Sequence, residues 1–228
     1  MLAECCKNKL YLAKAQLSDE YYYHSLPLCV IDAVFSIGIK YSATRNVVIN
    51  FCRKYNMPRL RKLGSGYLDM KEQLSVNDFL KIYEDNIINE ITEIYFRNKC
   101  RTSSTNGILK SEATMQFCKV LQKHKVNYFQ DIYKVIDNIE FEHDIKKIPG
   151  QKSGISTSYF YMLAGEENFI KPDRMVLRFI ESCTGRSKLT IDEATKLVME
   201  AYATLAIEFP SLTPRKLDRE IWNYQRSS

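Results

Sequence analysis

The sequence is short of several things, and each shortage excludes something. Glycine and proline number eight and six in 228 residues, so long periodic segments of helical length dominate over turns. The seven cysteines, at 5, 6, 29, 52, 100, 118 and 183, contain no C-x-x-C pair, and there are only three histidines. That removes the spacing a zinc or iron–sulfur site needs, and no metal or cofactor is expected. The odd cysteine count and the lack of a secretory signal point to reduced thiols and a cytoplasmic protein. Nowhere do 18 apolar residues follow one another, so no membrane span is predicted. No stretch alternates as a strand would, and there is no internal repeat or low-complexity linker.

What is present is a chain long enough to bury a sizeable core, with 33 basic and 27 acidic residues, a net charge of +6. That balance suits a polyanionic partner without requiring one. The periodicity predicts an all-α fold. Residues 1–26 read as a helix and a tyrosine-rich connection, Tyr21-Tyr22-Tyr23-His24, assigned to lobe packing. Pro27 opens LPLCVIDAVFSIGIKYSA, interrupted at Gly38, and Val47, Val48, Phe51 and Cys52 then share one face. Ser75-x-x-Asp78 and Thr190-x-x-Glu193 have the spacing of helix caps. Helices are predicted over about 87–98 and 128–140, the latter with Phe129, Ile132, Ile136 and Ile139 buried. Thr213-Pro214 opens a last helix with Leu217, Ile221 and Trp222 on its apolar face.

Two stretches carry chemistry. The first is the basic, hydroxyl-rich loop 97–110, RNKCRTSSTNGILK. Arg101, Thr102, Ser103 and Lys110 could face phosphates there; Ser104, Thr105 and Asn106 could equally form a turn and a cap. The second is 148–174, IPGQKSGISTSYFYMLAGEENFIKPDR. A Pro-Gly turn leads into an apolar run that closes at Gly165, and a short loop then delivers Asp173 ahead of another apolar run. Glycines in such a turn let backbone N–H groups approach a phosphate closely. Asp173 has two readings, a helix N-cap and a reacting carboxylate. Lys171 and Arg174 suit solvent or a phosphate equally, and Tyr159 and Tyr161 suit a core or interface better than a flipped base.

The order of hairpin, apolar helix ending in glycine, short loop and aspartate resembles the helix–hairpin–helix DNA glycosylases, the superfamily of endonuclease III. Their pattern is roughly L-P-G-V-G-x-K-T-A, followed by a helix and a V-D-T loop. Ile148, Pro149 and Gly150 match the start of the hairpin, Gly165 the end of its second helix, and Asp173 the catalytic aspartate, one residue later in its loop. The resemblance spans 27–228, with its specific motif in about 26 residues. It implies two helical lobes with an interlobe cleft. One lobe is 27–165, with the hairpin motif at about 140–165; the other combines 1–26 with 166–228. It implies a monomer that binds double-stranded DNA of the nucleoid through Gly150, Gln151, Lys152, Ser153, Gly154 and Lys171. It also implies a pocket drawing on Lys40, Tyr41 and Tyr159, and catalysis by Asp173.

Departures from the family pattern sharpen the expectation. Lys152 stands at the second hairpin glycine and Gly154 where strand-cutting members carry a Schiff-base lysine. Only Cys183 lies beyond the hairpin, so the four-cysteine cluster loop is missing, and Gly38 stands where endonuclease III has a gap-filling glutamine. The resemblance therefore implies a monofunctional glycosylase that removes a damaged or modified base and leaves an abasic site, in repair or in defence against modified phage DNA. A non-catalytic DNA-binding protein of the same fold is the alternative, and a helical protein–protein adaptor a third reading.

Overall fold

The computed structural model describes residues 1–227. It is helical, with no strand among them; two isolated bridges, Tyr23 with Leu60 and Arg101 with Leu109, are the only extended pairings described. No helix among these residues is long and apolar enough to cross a membrane. The chain forms two compact units, 19–164 and 1–18 together with 165–228.

The 19–164 unit is built around α2 (Leu26–Phe35), every residue of which is buried. A helix apolar on all sides belongs inside a domain, and α2 packs against α3 (Tyr41–Tyr55), α6 (Lys110–Lys123) and α8 (Ile155–Ala164). Between α3 and α6 come α4 (Val76–Asp85) and α5 (Ile88–Glu90), which runs on as a π-helix over Ile91–Phe96. Ser75 caps α4, its Oγ accepting the Asp78 N–H at 2.9 Å. Residues 19–26, expected with the terminal lobe, belong to this unit. His24 N donates to Arg59 O and Arg61 N to Tyr22 O, both at 2.9 Å, and the Tyr23 hydroxyl reaches Asp32 of α2 at 2.8 Å.

The segment expected as one helix over about 128–140 is two elements. A 3₁₀ helix, Phe129–Lys134, ends before Asp137, whose φ is +56°, and α7 (Ile139–Lys146) starts afresh. The left-handed residue breaks the i to i−4 ladder, and Asn138 restarts it by accepting the Phe141 N–H at 3.0 Å. Ile139, placed on the buried face by its spacing, is 85 % exposed at this new N-terminus.

The other unit gathers α1 (Leu2–Lys9), α9 (Arg174–Thr184), α10 (Ile191–Glu208) and α11 (Pro214–Ser227) around Leu2, Cys6, Phe179, Ile180, Val198, Leu205, Leu217 and Ile221. Thr190 and Glu193 form a reciprocal capping box on α10, and Gly185 ends α9 at φ +69°. The expectation that every thiol is reduced is corrected here. Packing of α1 on α9 brings the Cys5 and Cys183 Cα atoms to 5.8 Å, and the two are joined as a disulfide. The other five cysteines form no disulfide. Burial pushes the Cys6 and Cys52 thiols up to about 12, which makes them inert packing groups.

Candidate nucleic-acid interface and carboxylate site

The turn between α7 and α8 is set by two glycines. Gly150 has φ +85° and Gly154 φ +76°, values that side-chain-bearing residues rarely adopt. Gln151 N donates to Ile148 O at 2.9 Å and Gly154 N to Gln151 O at 3.1 Å, after which Ser158 N to Gly154 O (3.0 Å) starts α8. Lys152 and Ser153 are exposed at the tip.

The hydroxyl-rich loop lies against this turn. A Cβ on Gly150 would stand 2.4 Å from the Thr102 Cβ, so glycine is what allows the contact. The loop is held by its own backbone: Thr102 N donates to Ile108 O and Lys110 N to Cys100 O, each at 2.9 Å, and the Arg101 guanidinium to Gly107 O at 2.7 Å. Two segments separated by some fifty residues, each singled out for phosphate contact, therefore form one surface exposing Arg101, Ser103, Lys152 and Ser153.

Two expected contact residues are not on it. Lys110 is 2 % exposed, its ammonium donating to the carbonyls of Phe35 (2.9 Å) and Ile37 (2.5 Å) where α2 ends. It caps a helix rather than facing solvent. Gln151 is 1 % exposed. Its Oε1, with Thr102 Oγ1, Ser156 Oγ and Thr157 Oγ1, is buried without a hydrogen-bond partner among the described residues, an arrangement that is uncommon enough to need a reason.

The pocket candidates are scattered in exposure. Tyr159 is buried with its hydroxyl 3.5 Å from Asp32 Oδ2, to which Tyr23 also donates. Burial first, and the nearby Asp32 carboxyl second, hold both phenols well above their usual range. Tyr41 is half-buried and electrostatically coupled to both phenols, whereas Lys40 is exposed at the start of α3.

Asp173 stands at the N-cap of α9. Its Oδ1 accepts the Met175 N–H at 2.8 Å, and its Oδ2 is 3.9 Å from the Lys171 ammonium. Its loop is gripped from α11. Arg215 N donates to Glu167 O (3.1 Å), the Arg215 guanidinium pairs with the Glu167 carboxylate (3.0 Å), and the Thr213 hydroxyl donates to the same carboxylate (2.7 Å). Asp218 Oδ1 then accepts the Lys171 N–H at 2.8 Å. Asp218 is 5 % exposed. Burial raises its carboxyl to about 8 against the opposing Lys171 N–H bond, with the negative Asp173 adding to the rise and Lys171 and Arg219 opposing it. One carboxyl is thus half-exposed beside a lysine, and a second, buried one fixes the backbone two residues away.

His124, Glu140 and Asp144 offer three ligand atoms within 4.8 Å of one another. Lys123 bonds both carboxylates and Lys147 bonds Asp144, so the cluster is satisfied as an ion-pair network. Those lysines, with His124, also hold the Asp144 carboxyl well below its usual range.

A family model described as Domain of unknown function (DUF8548) matches residues 1–226. The chain belongs to that family. Among curated proteins and among solved structures nothing matches it. The sequence reading missed Asp218 and Arg215. The available signal was a charge inside an apolar stripe: Pro214, Leu217, Asp218 and Ile221 follow helical spacing, and all four are buried. Asp32 gave the same signal within α2.

Proposed function

We propose that the chain is a monofunctional DNA glycosylase that flips out a damaged or modified base and hydrolyses its N-glycosidic bond. The observation that carries the reading is the packing of Thr102 on Gly150, which unites two basic, hydroxyl-bearing loops in one surface. Arg101, Ser103, Lys152 and Ser153 would hold backbone phosphates without reading sequence. Rotating a nucleotide out of the stack costs a few kcal/mol, least for a damaged or mispaired base. As the C1′–N bond breaks, positive charge develops on the sugar, and the Asp173 carboxylate would stabilise it. Water adds at C1′, and its proton accounts for the proton taken up by the departing base. Gly154 stands where an amine nucleophile would be needed for strand cutting, so the product is an abasic site.

A second reading, a non-catalytic DNA-binding protein of the same fold, is favoured by the full use of Asp173 as a cap and ion-pair partner. Duplexes carrying a panel of oxidised, alkylated and phage-type modified bases, treated with alkali after incubation, separate the two. The glycosylase reading expects alkali-labile sites with at least one duplex. It also expects their loss, by a hundredfold or more, in Asp173→Asn, which keeps the cap and the DNA affinity. Equal base release by that variant would refute the role of Asp173. Binding without release from any duplex would favour the second reading.

A further inference from the structure

Apart from the hairpin surface, the 19–164 unit has a groove of about 410 Å³ between α3 and the π-helix, lined by Asn50, Arg53, Lys54, Glu93, Ile94 and Arg97. Asn50, Arg53 and Lys54 share one face of α3 by their i, i+3, i+4 spacing. The Asn50 amide donates to Phe96 O at 3.3 Å and so ties α3 to the π-helix opposite. Basic residues in the last turn of a helix have an ordinary explanation, because the carbonyl end of the helix favours them. Arg97, the C-cap of the π-helix, has the same explanation for its charge but not for its backbone. It ends the π-helix in the left-handed region at φ 50°, a conformation that costs a β-carbon-bearing residue about 1 kcal/mol. Neither its side chain nor that of Arg53 has a hydrogen-bond or ion-pair partner among the described residues. The one carboxylate of the lining, Glu93, is already paired with Lys99 at 2.7 Å, and Lys54 lies over the Tyr95 ring at 5.7 Å. The groove therefore presents two planar, uncommitted guanidinium forks, the geometry that binds phosphate oxygens in pairs.

We propose that this groove is a second phosphate-binding site, for the backbone of the same nucleic-acid strand that the hairpin surface holds. The inference rests on the DNA-binding half of the proposed function. What joins the two sites is the chain itself. Arg97, Lys99 and Arg101 run from the groove to Thr102, which packs on Gly150. From Arg97 to Thr102 the chain spans at most about 18 Å, a few nucleotides at roughly 3.4 Å per nucleotide along one strand. The groove thus lengthens the footprint on the phosphate chain, and its contacts carry no base preference.

The test is fluorescence anisotropy of a labelled, unmodified duplex of about 20 base pairs, titrated with the full chain over a series of KCl concentrations. Each phosphate contact contributes about 0.9 to the slope of log affinity against log salt. Arg53→Gln with Arg97→Gln should lower that slope by about 2, equally for unrelated sequences. Arg53→Lys with Arg97→Lys should keep the slope, and Lys196→Gln on α10 should leave it unchanged. Unaltered thermal melting of the glutamine variant assigns the loss to charge rather than folding, and the lysine variant supplies the same comparison if melting shifts. A slope unchanged in the glutamine pair overturns the groove and leaves the hairpin reading standing. No salt-dependent binding by the unmodified chain overturns both. The assay reads no base release, so loss of the catalytic reading alone leaves the groove intact.

Discussion

Replacing Asp218 by Asn should stabilise the protein at neutral and alkaline pH, the reverse of what removing a buried hydrogen-bonded charge usually does. Asn keeps an oxygen for the Lys171 N–H that Asp218 Oδ1 accepts at 2.8 Å. It removes the need to ionise a carboxyl that burial has raised from 3.8 to about 8. Between those two values the folded chain holds a proton that the unfolded chain has released. Stability is therefore full below the unfolded value and falls as pH rises, by about 1.4 kcal/mol per unit, until the folded group ionises near 8. Over that whole span the loss is on the order of 5 kcal/mol. From pH 5 to pH 8 the advantage of the variant should grow by about 4 kcal/mol. Trp222, the single tryptophan, sits one turn beyond Asp218 on α11, so its fluorescence during urea unfolding reports on the unit concerned. Parallel stability curves for the two proteins across pH 5 to 8 would refute the buried, protonated carboxyl.

Two further substitutions test the 19–164 unit. Gly150→Ala combines a left-handed φ of +85° with a Cβ 2.4 Å from that of Thr102. It should cost about 2 kcal/mol or more in urea denaturation and weaken duplex binding, with Thr102→Gly in the same chain restoring part of both. Lys110→Met removes the donor to the Phe35 and Ile37 carbonyls. It should lower stability by about 1–3 kcal/mol with no change in the salt dependence of DNA binding; a lowered salt slope would return Lys110 to the surface role its sequence context suggested.

The helical architecture was legible because periodicity and capping chemistry agree. The Ser75 cap and the Thr190–Glu193 box lie where their spacing put them. Backbone geometry inside a periodic run was not legible. Phe129, Ile132, Ile136 and Ile139 keep a helical interval across Asp137, and nothing in that interval records a positive φ. The π-helix at Ile91–Phe96 was hidden for the same reason, since one extra residue in a turn leaves the apolar pattern almost intact. Lys110 read as a surface cation because it closes the basic, hydroxyl-rich loop 97–110, whereas its neighbours in space are helix-end carbonyls. Asp173 was visible through its loop. The residues that fix that loop, Arg215 and Asp218, lie more than forty positions later and meet it only through tertiary packing.

The unit that carries Asp173 is assembled from the two ends of the chain. Leu2 and Cys6 of α1 are buried among side chains of α9, α10 and α11, which a ribosome makes after the 19–164 segment. The first helix must therefore wait through the synthesis of the entire 19–164 segment before its apolar face has anything to cover it, while that segment is contiguous and can condense as it emerges. In a newly made chain the surface that joins Thr102 to Gly150 would thus exist before Asp173 has a folded helix to cap. Under the glycosylase proposal, a partly made chain holds DNA without acting on it.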